Sequence, residues 1–164
     1  MSLMSGPNTR QPLYTAAQRA RRDATKWTLV QGILAPIQFV VFLISLALVL
    51  RYLSTGEGYG AANASILLKT AILYLIMVTG AIWEKVVFGQ YLLAPAFFWE
   101  DMVSFAVIFL HTLYLYGLFN GVMGPESLMW LAIAAYFIYV LNAAQFLLKL
   151  RAARLEMTLE VQHA

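Results

Sequence analysis

The chain has 164 residues, of which 62% are apolar and 12% charged, and its net charge is +3. A soluble domain of this size cannot hide so much apolar surface, so a disordered chain, a secreted disulfide scaffold and an ordinary soluble enzyme are excluded and an integral membrane protein is expected. The absence of cysteine removes disulfides, thiolate metal sites, iron–sulfur clusters and a cysteine nucleophile, and the basic excess reads as membrane topology rather than nucleic-acid binding.

Residues 1–14 read as a flexible tail containing Gly6, Pro7 and Pro12. Thr15 and Gln18 have the spacing of a capping box, so a helix is expected to begin there. Arg19, Arg22 and Lys26 share one of its faces, as a topology anchor or as a contact for lipid phosphates. From Trp27 to Leu50, 24 residues carry no formal charge. That is enough helix to cross a hydrocarbon core of about 30 Å, and the first span is placed at about 27–53. Gln31, Gln38 and Ser45 fall on one face of it, either as interhelical hydrogen-bonding groups or as the lining of a ligand pocket. Pro36 frees a carbonyl within the span. Ser54–Gly60 is a glycine-rich turn without the lysine of a phosphate loop.

The second span, about 61–84, carries Lys69 near its start, where the side chain is expected to snorkel to the interface. Thr70, Tyr74, Met77, Ala81 and Glu84 form one seam along it. Residues 84–101, EKVVFGQYLLAPAFFWED, are too apolar for a solvated loop. Their uncharged core, Val86–Trp99, has 14 residues and is too short to span. With Gly89 and Pro95 inside it, this segment is expected to be re-entrant or interfacial. In the third span, about 101–123, Glu100, Ser104 and His111 align, with Tyr114 one turn further. The fourth span, about 127–149, aligns Tyr136, Tyr139, Asn142 and Gln145. Residues 156–164 are expected to be a C-terminal tail with a solvated His163.

The fold class is therefore an all-α integral membrane protein. Its four transmembrane helices lie within a domain over 15–155, with the re-entrant or interfacial segment between the second and third. Of the 11 Lys and Arg residues, all but Arg51 and Lys69 fall on the side of the termini, which places both termini in the cytoplasm. No signal peptide is expected. Trp27, Trp83, Trp99 and Trp130 fall near predicted span boundaries, as belt residues do.

One polar stripe per helix should converge in a bundle interior. Glu84, Glu100, Asp101 and His111 are its chemically capable members. Two carboxyl groups in a partly dry site cannot both be ionised comfortably, so one is expected to hold a proton beside an ionised partner. That is equipment for proton transfer. Alternatively the acids only mark helix ends, where carboxylates suit a helix N-terminus. His111 can hydrogen-bond to a neighbouring helix, act as an acid–base group or ligate the metal of a tetrapyrrole. One intramembrane histidine is too few for a zinc site. Tyr114 and Tyr139 suit the walls of a pocket for a large flat ligand, or simply a core.

The runs RDATKWTLVQGILAP (22–36), EKVVFG (84–89), LAPAFFWED (93–101), the helix with His111, and NAAQFLLKLRAARL (142–155) resemble the 3-vinyl bacteriochlorophyllide hydratase family, called 2-vinyl in older naming. The resemblance covers about residues 13–155. It implies a hydro-lyase of bacteriochlorophyll biosynthesis that adds water to the C3 vinyl group of chlorophyllide a or a bacteriochlorophyllide, giving a 3-(1-hydroxyethyl) group. It also implies a bacterial cytoplasmic or intracytoplasmic photosynthetic membrane and a tetrapyrrole substrate that brings its own magnesium, so that no cofactor is expected. Other enzymes of the pathway, or a second copy of the chain, are conceivable neighbours. On this reading Glu84 or Glu100 is the acid, and Asp101 positions or deprotonates the water. His111 ligates the pigment magnesium or supports the acid. Gln31, Gln38, Tyr114, Tyr139, Asn142 and Gln145 contact the pigment. The competing readings are a pigment-binding or photosystem-assembly protein without catalysis, and a small transporter. The second has little support, for lack of a buried charge mid-span and of an inverted repeat.

Overall fold

The structure, a computed structural model, describes residues 12–162. Five helices follow one another: α1 (Ala16–Ala24), α2 (Lys26–Thr55), α3 (Tyr59–Phe88), α4 (Phe98–Phe119) and α5 (Pro125–Gln162). Among the described residues there is no strand. The four long helices are each long and apolar enough to cross a membrane. Short turns make α2 and α3 one antiparallel hairpin and α4 and α5 another. The hairpins meet along α2 with α5 and α3 with α4.

The polar stripes face inward as the periodicity requires. Gln38 and Ser45 of α2, Thr70 and Glu84 of α3, and Glu100, Ser104, His111 and Tyr114 of α4 are all buried, with Tyr136, Tyr139 and Asn142 of α5. Leu29, Ile33, Leu75, Phe109 and Phe137 point outward, as expected for helices whose outer surface meets lipid chains. The turn between α2 and α3 is closed by Gly56 and Gly58, at φ 74° and 83°. Side chains rarely adopt that left-handed conformation, and glycine does so without a Cβ penalty.

The expected helix start at Thr15 is present as a full capping box. The Gln18 backbone N–H donates to Thr15 Oγ1 at 3.2 Å, and the Thr15 N–H donates to Gln18 Oε1 at 2.9 Å. Arg21 then fastens α1 to the end of α3, donating from Nε and Nη2 to the Val87 carbonyl at 3.0 and 2.7 Å. A cation on a last-turn carbonyl also suits the negative end of the α3 dipole.

Several expectations are corrected here. The described end of the tail is not loose: Tyr14 is buried, stacked on Phe88 at 5.8 Å with the Arg22 guanidinium 4.8 Å from its ring centroid. Burial pushes the Tyr14 phenol up from its ordinary range, while the positive charge of Arg22 pulls it back. Residues 1–11 and His163 lie outside the described residues. The expected C-terminal tail continues α5 as helix to Gln162. Trp99 and Trp130 are exposed, as belt residues should be, but Trp83 packs edge-on to Phe88 and Phe97 and donates to Thr28 Oγ1 at 2.9 Å. Lys69 does not snorkel: it is 0% exposed and turned into the bundle.

The connection between α3 and α4 is an irregular stretch over residues 89–97. It starts at Gly89 (φ 90°), which caps α3. Ala94 and Phe97 are buried, and Phe97 packs with Tyr14, Val87 and Ala153. The connection thus folds back over the end of the bundle and closes it.

Candidate functional site

Three acids from two helices meet beneath this connection. Glu84 stands in the last turn of α3, Glu100 and Asp101 in the first turn of α4. All three are at most 5% exposed. Their attachment differs. Asp101 Oδ2 accepts from the Leu93 N–H at 2.7 Å, and Glu84 Oε2 accepts from the Ala94 N–H at 3.3 Å. Consecutive backbone amides of the connection therefore hold one carboxyl each. Glu84 and Asp101 are close enough to interact electrostatically. Two carboxylates this close repel one another if both are ionised, so the pair is suited to holding one proton between them. The arrangement is fixed by amides and buried.

Leu93 sits at φ 58°, a left-handed conformation that costs a non-glycine residue about 1–2 kcal/mol. It is the only such non-glycine residue among those described. The bond to Asp101 holds its N–H in place, so local strain is stored directly at the carboxyl pair.

Glu100 is tied differently. Lys149 of α5 donates to Glu100 Oε2 at 2.6 Å and also to the Ala96 carbonyl. Its ammonium lies 5.3 Å from the Phe97 ring centroid. One α5 turn or two away, Asn142 Nδ2 donates to the Glu100 carbonyl at 2.8 Å, and Ser104 Oγ lies 3.1 Å from Asn142 Oδ1. Lys149 gives Glu100 a counter-charge, which leaves Glu84 and Asp101 to share a proton between themselves. The Gln145 Oε1 atom, between Asn142 and Lys149 on the same helix, is buried without a hydrogen-bond partner among the described residues.

The remaining expected site residues lie elsewhere. Gln31 ties α2 to α3 through Thr79 Oγ1 at 2.7 Å. Gln38 is buried lower in α2. His111 is ten residues beyond Asp101 on the same helix, or about 15 Å along its axis, and it groups with Lys69, Tyr136 and Tyr139 in the middle of the bundle. Tyr114 lies there too, donating to Asn63 Oδ1 at 2.6 Å. The structure thus brings Glu84, Glu100, Asp101, Asn142 and Gln145 to one end, and sets His111, Tyr114 and Tyr139 apart from them. Among the described residues no three His, Asp or Glu side chains form a metal-binding group.

Sequence reasoning missed Lys149 as a site residue, reading it only as a topology marker. The signal was present: Asn142, Gln145 and Lys149 are spaced by three and four residues, which continues one helical face. The backbone N–H groups of Leu93 and Ala94 had no such signal, because an irregular connection has no period.

A family model described as 2-vinyl bacteriochlorophyllide hydratase matches residues 14–152. A protein of that name from Cereibacter sphaeroides is 73% identical over 146 residues, which is 88% of this chain and 90% of the relative. Another of that name, from Rhodobacter capsulatus, is 65% identical over 153 residues, 93% of this chain and 88% of the relative. No solved structure matches the chain.

Proposed function

The chain belongs to the 2-vinyl bacteriochlorophyllide hydratase family and is a hydro-lyase of bacteriochlorophyll biosynthesis, and we propose that it hydrates the vinyl group of its tetrapyrrole at the Glu84–Asp101 carboxyl pair. Membership sets aside a pigment carrier without catalysis. The observation that supports the site is the closeness of two buried carboxyl groups, each held by its own backbone N–H.

The chemistry asks for little more. The protonated member of the pair gives its proton to the terminal vinyl carbon. Positive charge develops on the inner carbon, where the macrocycle delocalises it. A water adds to that carbon, and its surplus proton passes to the ionised carboxylate, so the pair ends with the proton it started with. The sum is addition of one water with no change of redox state, so no electron carrier is called for. The magnesium arrives with the substrate. Gln145, whose Oε1 is buried without a partner among the described residues, is the acceptor assigned to the attacking water in this proposal. Lys149 and Asn142 act as positioning residues through Glu100.

His111 is left out of this reading. In one macrocycle the magnesium and the vinyl group are about one pyrrole ring apart, whereas His111 stands about 15 Å along α4 from Asp101. We further propose that the carboxylate end faces the cytoplasm, because nearly all the basic residues flank it.

The test is conversion of vinyl to hydroxyethyl pigment by purified protein, followed by absorption. Glu84→Gln and Asp101→Asn keep shape and hydrogen-bonding capacity but cannot cycle the proton. Each should lose at least about a hundredfold in rate, with the thermal midpoint little changed. Wild-type rates in both variants would remove the pair from the mechanism.

A further inference from the structure

The mid-bundle cluster is a second polar site, and the hydratase reading makes no use of it. Lys69 is 0% and His111 1% exposed. The Lys69 Nζ atom and the His111 Nε2 atom have no hydrogen-bond partner among the described residues. His111 Nδ1 lies 2.8 Å from the Val107 carbonyl, so it carries the donated proton and Nε2 presents a lone pair to the interior. Both residues lie against the ring of Tyr136. The Lys69 ammonium is 3.6 Å from the Tyr139 ring centroid and 5.6 Å from that of Tyr136, and the His111 ring centre is 5.9 Å from Tyr136.

The polar neighbours are engaged with one another. The Tyr136 hydroxyl is 2.5 Å from Ser45 Oγ, and Ser45 is 2.7 Å from Ser65 Oγ. Thr70 donates to the Ile66 carbonyl, and Tyr114 to Asn63. None of the ion pairs among the described residues includes Lys69. The nearest acid on its own helix, Glu84, is fifteen residues or about 22 Å away. A cation stranded within a bilayer is expensive, and aromatic faces compensate only part of that cost. Such groups are ordinarily paired, and the described residues supply no hydrogen-bonding partner.

We propose that Lys69 and His111 form an internal binding site for one small carboxylate. One of its oxygens accepts from Nζ. The other faces Nε2 across one proton that is taken up from solvent with the ligand, so the carboxyl group uses both free nitrogen atoms at once. Phe42 packs 5.4 Å from Tyr136 and 5.0 Å from Tyr139, so the surroundings are closely packed and the ligand proposed is the smallest carboxylate, formate.

The test uses the full chain in detergent, with the thermal unfolding midpoint followed by intrinsic fluorescence, and does not read hydratase activity. Sodium formate is titrated against sodium chloride at equal ionic strength. A ligand bound only by the folded state raises the midpoint with its concentration relative to Kd. Formate should therefore raise it in the wild type and chloride should not. Lys69→Met should abolish the formate effect. His111→Phe, which removes one of two hydrogen bonds, should raise the apparent Kd for formate roughly tenfold. The proposal is overturned if formate acts no differently from chloride on the wild type, if its effect survives in Lys69→Met, or if His111→Phe binds formate as the wild type does. Should Lys69→Met not fold, the wild-type titration and His111→Phe decide alone.

Discussion

The two polar clusters of this bundle are built on opposite terms. At the end of α3 and α4, Glu84, Glu100 and Asp101 are each matched: by Ala94 N–H, by Lys149 and by Leu93 N–H. In the middle, Lys69 and His111 are as deeply buried, and the atoms Lys69 Nζ and His111 Nε2 have no hydrogen-bond partner among the described residues. The difference is one of location. An irregular connection has spare backbone amides, and a helix end has spare capacity to receive charge. A regular helix in lipid has consumed all of its backbone groups, so a charge placed there depends on another side chain or on a ligand.

If this contrast is right, removing a charge should be costly at the end and nearly free in the middle. The largest effect is the loss of rate already expected for Glu84→Gln and Asp101→Asn. Next is Lys149→Met, which strands the Glu100 carboxylate. Breaking a fully buried pair costs about 3–5 kcal/mol. Because the Lys149 side chain is 27% exposed, about 2 kcal/mol is expected, as a lowered midpoint of thermal unfolding in detergent. By the same measurement and without formate, Lys69→Met should lose nothing measurable, because it removes a charge that has no hydrogen-bond partner among the described residues. A loss as large as that of Lys149→Met would break the comparison.

Two smaller effects sharpen it. Asn142→Leu removes the donor to the Glu100 carbonyl and leaves a buried acceptor, for about 1–2 kcal/mol. Thr79→Val, which unties Gln31 from α3 away from both clusters, should cost about 1 kcal/mol and leave the rate of pigment conversion unchanged. A rate change in Thr79→Val would mean that the seam between α2 and α3 reaches the site.

Much of the architecture was legible in the residues. Charge-free runs marked the four spans, because a bilayer tolerates few charges over its thickness. Thr15 and Gln18 announced the start of α1 because capping chemistry is local. The grouping of Glu84 with Glu100 and Asp101 followed from their position on either side of one short connection. What was misread shares one cause. Lys69 was assigned to the interface by its distance along the helix, and Trp83 to the belt by its place near a span end. Distance along a helix fixes depth only roughly, and says nothing about what the facing helices present at that depth.

The amino-acid sequence by itself determined the solvent, the number of spans, the inward stripes and the family, since each rests on composition, on period or on unbroken runs of residues. Tertiary structure decided which stripes meet and at what height. It joined Glu84 to Asp101 through the amides of Leu93 and Ala94, gave Glu100 to Lys149, and moved His111 to Lys69. Those pairings depend on the rotation and axial offset of whole helices, which are set by the packing of many side chains at once.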